Sequence, residues 1–268
     1  MSEAPHLLFE TVGNVGVITF NRPDNYNALT GEMLDLYLEA LEACRVDTNI
    51  GAIVLTGAGK AFCGGGDVNN LGDNNKPKEP TPLLDIKNQF WEGLHRIPKK
   101  LAEIDKPVIC AVNGPAYGAG VDMTLQCDLR FAADSAKFRI TYTEFGLVPG
   151  NGGTYFLPRI VGESKALELF WGAELFTAQE AKDWGMVTKI FPREELLEKT
   201  IEWAQGVCER APIPVRLIKR AVKQGLNADL NTSLDLISSH MVITRTSRDH
   251  AEGIKAYIEK RKPVFTGK

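Results

Sequence analysis

KPVICAVNGPAYGAGVDM, residues 106–123, opens as an apolar β-branched run and passes directly into a string of small residues. The first half reads as a buried strand closed by Asn113 and Gly114. The glycines that follow let the backbone approach a ligand closely and aim N–H groups at it. Ala119 is then placed to open a helix running through Asp122 to Gln126. Strand, glycine turn and helix in that order put a ligand-facing loop at the carboxyl end of a strand, where α/β proteins build their sites.

Working outward, VGVITF at 15–20, GAIVLTG at 51–57 and LRFAAD at 129–134 are further buried strands by the same signals. Between the first two, Leu34, Leu38 and Leu41 recur at helical spacing after Thr30, a side chain suited to cap the helix N-terminus. The alternation defines an α/β chain. Beyond about residue 152 strand signals fade. TAQEAKDWG carries a capping box in Thr177 and Glu180 and ends on Gly185, and helices are expected over roughly 193–209, 213–225 and 230–259. Residues 69–82, rich in Asn, Gly, Pro and Lys, are expected to form a mobile loop, since strand-forming sequence resumes after them. The expected organisation is a core over 1–200 and a helical C-terminal region over 201–268.

The 268 residues carry 31 basic and 34 acidic side chains, a formal net charge of −3, with no long run of one sign. That argues against nucleic acid or an anionic membrane as partner. The N-terminus lacks the basic stretch and apolar run of a signal peptide, the C-terminal VFTGK is no peroxisomal address, and no apolar stretch suits a membrane span. The five cysteines are scattered, without CxxC or histidine partners at ligand spacing. Neither a disulfide framework nor a metal site is therefore expected, and a cytoplasmic location is the default.

A second small-residue cluster, FCGGGDV at 62–68, follows the strand at 51–57. Nucleotide binding is the first function such clusters raise, and it fails on detail. No Lys and Ser/Thr follow in the manner of a phosphate loop, and Gly118, Gly120 and Met123 do not complete GxGxxG.

Five blocks in order carry a resemblance: NRPDNYNALT at 21–30, GAGKAFCGGGDV at 57–68, KPVICAVNGPAYGAGVDM at 106–123, FGLVPGNGGTYFLPRIVG at 145–162 and EGIKAYIEKRKPVFTGK at 252–268. Together they resemble the enoyl-CoA hydratase/isomerase (crotonase) superfamily over nearly the whole chain. The resemblance implies a crotonase-like spiral of ββα turns and a helical C-terminal region that builds a homotrimer or a dimer of trimers. It also implies coenzyme A thioesters as substrates, with no permanently bound cofactor.

By the same resemblance, the backbone amides of Gly66 and Ala119 form an oxyanion hole for the thioester oxygen. Asn27, Ala28, Gly64, Tyr257 and Lys260 are expected to contact coenzyme A, Lys260 as a point charge for phosphate. Asp67 is expected to cap the turn that follows it. Asp122, three residues beyond Ala119, is the leading proton carrier. The family's hydratases carry a second glutamate about twenty residues later, and that interval here ends on Tyr142. Glu144 lies two residues on. In extended chain it would share a face with Tyr142 and replace the missing acid, or else it points away to Arg139 or Lys137. Other relatives place an acid at Gly150, and this chain has none there.

Hydration of a 2-enoyl-CoA is the leading expectation, with double-bond isomerisation, thioester hydrolysis or decarboxylation as alternatives. A non-catalytic acyl-CoA-binding scaffold is a reading of a different class. Phe90, Trp91 and Leu94 either line an acyl pocket or pack into the core.

Overall fold

The computed structural model describes residues 4–66 and 81–268. Strand β1 (Leu7–Val12) pairs antiparallel with β2 (Val15–Phe20) through a tight turn at Gly13 and Asn14. Helix α1 (Gly31–Val46) starts where expected, the Thr30 hydroxyl accepting from the Met33 amide at 3.2 Å. It carries the chain to β3 (Ala52–Gly57), which lies parallel to β2. Helices α2 (Leu83–Glu92) and α3 (Arg96–Glu103) lead to β4 (Val108–Val112), again parallel.

From here each turn of the chain gives one strand to the main sheet and one to a second sheet. β4 is followed by β5 (Ala116–Tyr117) and helix α4 (Ala119–Leu125); β6 (Leu129–Ala133) is followed by β7 (Lys137–Arg139). After α5 (Gly153–Val161) and α6 (Glu163–Gly172) come β8 (Leu175–Thr177), α7 (Ala178–Asp183) and β9 (Lys189–Phe191). The main sheet runs β1-β2-β3-β4-β6-β9 and the small sheet β5-β7-β8. This is the expected ββα progression. The central strands β3 and β4 are buried at every position, which is why they read as unbroken apolar runs rather than alternating ones.

Three expectations change. Two strands, β8 and β9, lie beyond residue 152; at three residues each they are too short to show a period. Residues 142–145 form a 3-10 turn ended by Gly146 in the left-handed region, not extended chain, so Tyr142 and Glu144 do not share a face. The helix expected over 230–259 is two, α10 (Leu230–Arg245) and α11 (Arg248–Ile258), divided where the Ser247 hydroxyl caps the His250 amide.

A boundary at 200/201 would fall inside α8 (Leu196–Cys208), which packs against β3 and β4 of the main sheet. Beyond it come α9 (Pro212–Gly225), α10 and α11, with α10 packed on α9 and α11, and α9 tied to the starts of β4 and β6 by Lys219, which donates to the Lys106 carbonyl and pairs with Asp128. The capping box at Thr177 and Glu180 forms as expected. Residues 69–80 of the expected loop, and Asp67, lie outside the described residues.

Candidate active site

The two glycine clusters meet at the carboxyl ends of β3 and β4. Cys63 bridges to Ala116, and the Tyr117 amide donates to the Cys63 carbonyl at 3.0 Å. The approach is close enough to demand glycine at two points. A Cβ on Gly120 would collide with the Cys63 carbonyl. One on Gly65, whose φ is +96°, would lie 2.8 Å from the Tyr117 carbonyl and 3.4 Å from the Ala119 nitrogen. The chain around Gly65–Gly66 is thereby held against the start of α4. Among the described residues no acceptor takes the N–H of Gly66 or of Ala119.

What holds the first loop is Asn27, fully buried with φ +55°. Its Nδ2 donates to the carbonyls of Ala58 (2.9 Å), Ala61 (2.9 Å) and Phe62 (3.1 Å), its Oδ1 accepts from the Arg22 amide at 2.8 Å, and its carbonyl accepts from the Cys63 thiol. The Asn27 side chain is therefore committed to the loop. What residues 27–28 have for a ligand is backbone, and the Ala28 carbonyl already accepts from Arg22. Gly64 donates its amide to Tyr26 at 2.8 Å.

Asp122 lies on the first turn of α4, 1% exposed. Tyr142 donates its hydroxyl to Asp122 Oδ2 at 2.6 Å, and the Asn151 amide donates to the same oxygen at 3.2 Å. Oδ1 is buried and has no partner in hydrogen-bond geometry. Burial pushes the carboxyl up to about 6, against the Tyr142 hydroxyl and the amides of Asn151 and Gly153, which favour the charged form. Burial and the Asp122 charge raise the Tyr142 phenol, so it stays a donor.

Glu144 goes elsewhere. Its carboxylate pairs with Arg139 Nη2 at 2.6 Å, both side chains 41% exposed, while Arg139 Nε donates to the Ala173 carbonyl. Of the two candidate acids, the structure brings only Asp122 into contact with Tyr142. Tyr257, 86% exposed, belongs to a 550 Å³ apolar cavity among α9, α10 and α11 and not to the glycine loops. Lys260 follows α11 in the left-handed conformation. Phe90 and Trp91 are half-exposed on α2, which buries no residue, whereas Leu94 packs partly against the core. A Cβ on Gly150 would lie 3.6 Å from the Phe90 ring, so α2 borders the loop that carries Asn151.

Sequence reasoning assigned no role to Asn151, Gln126 or His95. Gln126 Nε2 donates to the Asn151 carbonyl at 2.8 Å, and His95 Nε2 meets the Gly150 carbonyl at 2.8 Å. Asn151 lies in the segment 145–162, but its contact with Asp122 is through the backbone, which no residue type announces.

Two unclaimed backbone amides beside a buried carboxylate with a raised pKa are the parts of an enzyme that stabilises an oxyanion and transfers a proton. The sequence model of the family described as enoyl-CoA hydratase/isomerase matches residues 10–268. The 1,2-epoxyphenylacetyl-CoA isomerase of Escherichia coli (strain K12) is 37% identical over 95% of this chain and 95% of its own length. The 2,3-dehydroadipyl-CoA hydratase of the same organism is 33% identical over 94% and 95%. A crystal structure of enoyl-CoA hydratase from Bacillus anthracis superposes with a TM-score of 0.90 at 33% identity, covering 98% of this chain and all of that one. The chain belongs to the enoyl-CoA hydratase/isomerase (crotonase) superfamily and is an acyl-CoA enzyme of that kind. No helix among the described residues is long and apolar enough to cross a membrane.

Proposed function

We propose that this enzyme moves a carbon–carbon double bond within an enoyl-CoA thioester, using Asp122 as its one proton carrier. The amides of Gly66 and Ala119 hold the thioester oxygen. Asp122 takes the α-proton of a 3-enoyl-CoA, negative charge gathers on that oxygen as the dienolate forms, and the same carboxyl returns the proton at the γ-carbon to give the 2-enoyl-CoA. Of its two oxygens, Oδ2 is held by Tyr142 and Asn151, and Oδ1 is buried without a hydrogen-bond partner. A carboxyl near 6 is matched to both halves, since it neither holds nor sheds its proton strongly at neutral pH.

The observation that supports isomerisation over hydration is the placement of Glu144 on Arg139, which leaves Asp122 as the sole carboxylate in contact with Tyr142 among the described residues. Hydration, the leading expectation from sequence, stands as the second reading, favoured by the 33% identical relative named as a hydratase. The experiment is a panel of 2-enoyl- and 3-enoyl-CoA esters in deuterated water. Isomerisation gives a product with a shifted double bond and no added water, apart from deuterium taken up at the α- or γ-carbon. A dominant product heavier by one water replaces this reading with hydration.

Coenzyme A contacts are carried by Ala28, Gly64, Tyr257 and Lys260, those of Tyr257 and Lys260 being made after assembly. Three copies, or two such trimers, assemble through α9–α11, which expose Ile218, Val222, Leu234, Met241 and Ile254. A monomer by light scattering at micromolar concentration counts against that assembly. The cytoplasm is the proposed location.

A further inference from the structure

The Asp122 carboxylate is held in part by one peptide group, and that group has a second handle. The carbonyl of Gly150 and the N–H of Asn151 belong to the same planar unit and point in opposite directions. The N–H donates to Asp122 Oδ2 at 3.2 Å, and the carbonyl meets His95 Nε2 at 2.8 Å. A carbonyl oxygen can only accept, so Nε2 carries the hydrogen. Nothing else among the described residues holds that carbonyl. The peptide sits between glycines: Gly150 precedes it, and Gly152, at φ +88°, follows Asn151. Asn151 itself is anchored, its side chain buried and its carbonyl held by Gln126, so what His95 adds is a hold on the peptide between Gly150 and Asn151, whose rotation about its flanking bonds would carry the N–H off the carboxylate.

His95 is itself well placed to restrain. Its amide donates to the Phe90 carbonyl, and its ring lies against Phe90 at 6.2 Å and edge-on to Trp91 at 6.1 Å. The neighbouring cations are engaged elsewhere, Lys99 over the Trp91 ring and Arg96 on Asp35. On the other side, the groups facing Asp122 are the Tyr142 hydroxyl and the amides of Asn151 and Gly153.

We propose that His95 is a positioning residue for proton transfer: by gripping the Gly150 carbonyl it fixes the Gly150–Asn151 peptide so that its N–H holds Asp122 Oδ2 and with it the orientation of the carboxyl. His95 touches no reacting atom. The inference rests on the reading of Asp122 as the proton carrier, and it ties α2, which borders the site, to the orientation of that carboxyl.

The test uses the full chain with 13C-labelled aspartate and no ligand, the Asp122 carboxyl resonance being the one lost in Asp122→Asn. His95→Leu removes the donor; His95→Gln restores an amide N–H at similar reach. In His95→Leu the Asp122 titration moves up by about one pH unit, since the charged form loses a hydrogen bond. Exchange of the substrate α-proton falls on the order of 10-fold with acyl-CoA affinity unchanged. His95→Gln returns both toward the parent. An unmoved Asp122 titration in folded His95→Leu overturns the proposal, as does a folded His95→Gln that behaves like the leucine variant. If leucine does not fold, His95→Phe carries the same test with a ring that cannot donate. Failure of the Asp122 reading would show separately, as full activity in Asp122→Asn, because the titration is read without turnover.

Discussion

The hydroxyl of Tyr142 and the carboxylate of Asp122, twenty residues apart in sequence, are joined by a 2.6 Å hydrogen bond. The position at which the family's hydratases carry a second glutamate thus holds a donor aimed at the first acid. A phenol that burial keeps protonated cannot act as a second base; it clamps one oxygen and favours the charged form.

Tyr142→Phe should therefore raise the Asp122 carboxyl further above about 6 and lower proton transfer at pH 7 by about 10-fold. The loss should shrink as pH rises and the carboxylate refills. Rate against pH checks this, and a pH-independent loss would mean that Tyr142 serves only to pack.

Asp122→Asn should cut turnover by about 100-fold or more with acyl-CoA binding nearly intact, the size expected for a lost general base. Glu144→Gln should change it by less than about 3-fold, because it breaks only a half-exposed pair with Arg139. Steady-state rates paired with ligand titration separate the two. A large loss in both would bring Glu144 back into the site and hydration with it.

The parts legible in sequence were those with strong local signatures. β2, β3, β4 and β6 announced themselves as apolar runs, and Thr30 and Thr177 as caps. The interval from Asp122 singled out Tyr142, but its hydrogen bond depends on the 3-10 turn at 142–145, which the residues do not signal. Strands of two or three residues, such as β5 and β8, are held by their neighbours and carry no period of their own. The contact of His95 with Gly150 spans 55 residues and ends on a carbonyl, so residue types cannot show it.

Asn27→Ala should behave as a stability mutation before a binding one. It removes the bonds to the Ala58, Ala61 and Phe62 carbonyls, two of them buried, and to the Arg22 amide, and places alanine at φ +55°. The cost is about 3 kcal/mol or more, a fall in Tm on the order of 10 °C. Thermal unfolding checks it; an unchanged Tm with only a raised KM would make Asn27 a ligand contact instead.

The last prediction concerns stability against pH. Burial lifts the Asp122 carboxyl from its ordinary 3.8 to about 6, while in the unfolded chain it keeps the ordinary value. Below 3.8 both states hold the proton and the folded state suffers no charge burial. As pH rises from 3.8 to 6 the unfolded chain ionises first, so the folded state loses stability through that window and stays penalised above it. At about 1.4 kcal/mol per pH unit the penalty is up to about 3 kcal/mol, for a side chain 1% exposed. Asp122→Asn, neutral in both states, escapes it. The variant should unfold at higher temperature than the parent at pH 8, with the gap closing toward pH 4, and its gain in stability should accompany its loss of turnover. Equal melting temperatures across that range would show that the carboxyl sits at its ordinary value and that its oxygens are better solvated than the buried, unpartnered Oδ1 implies.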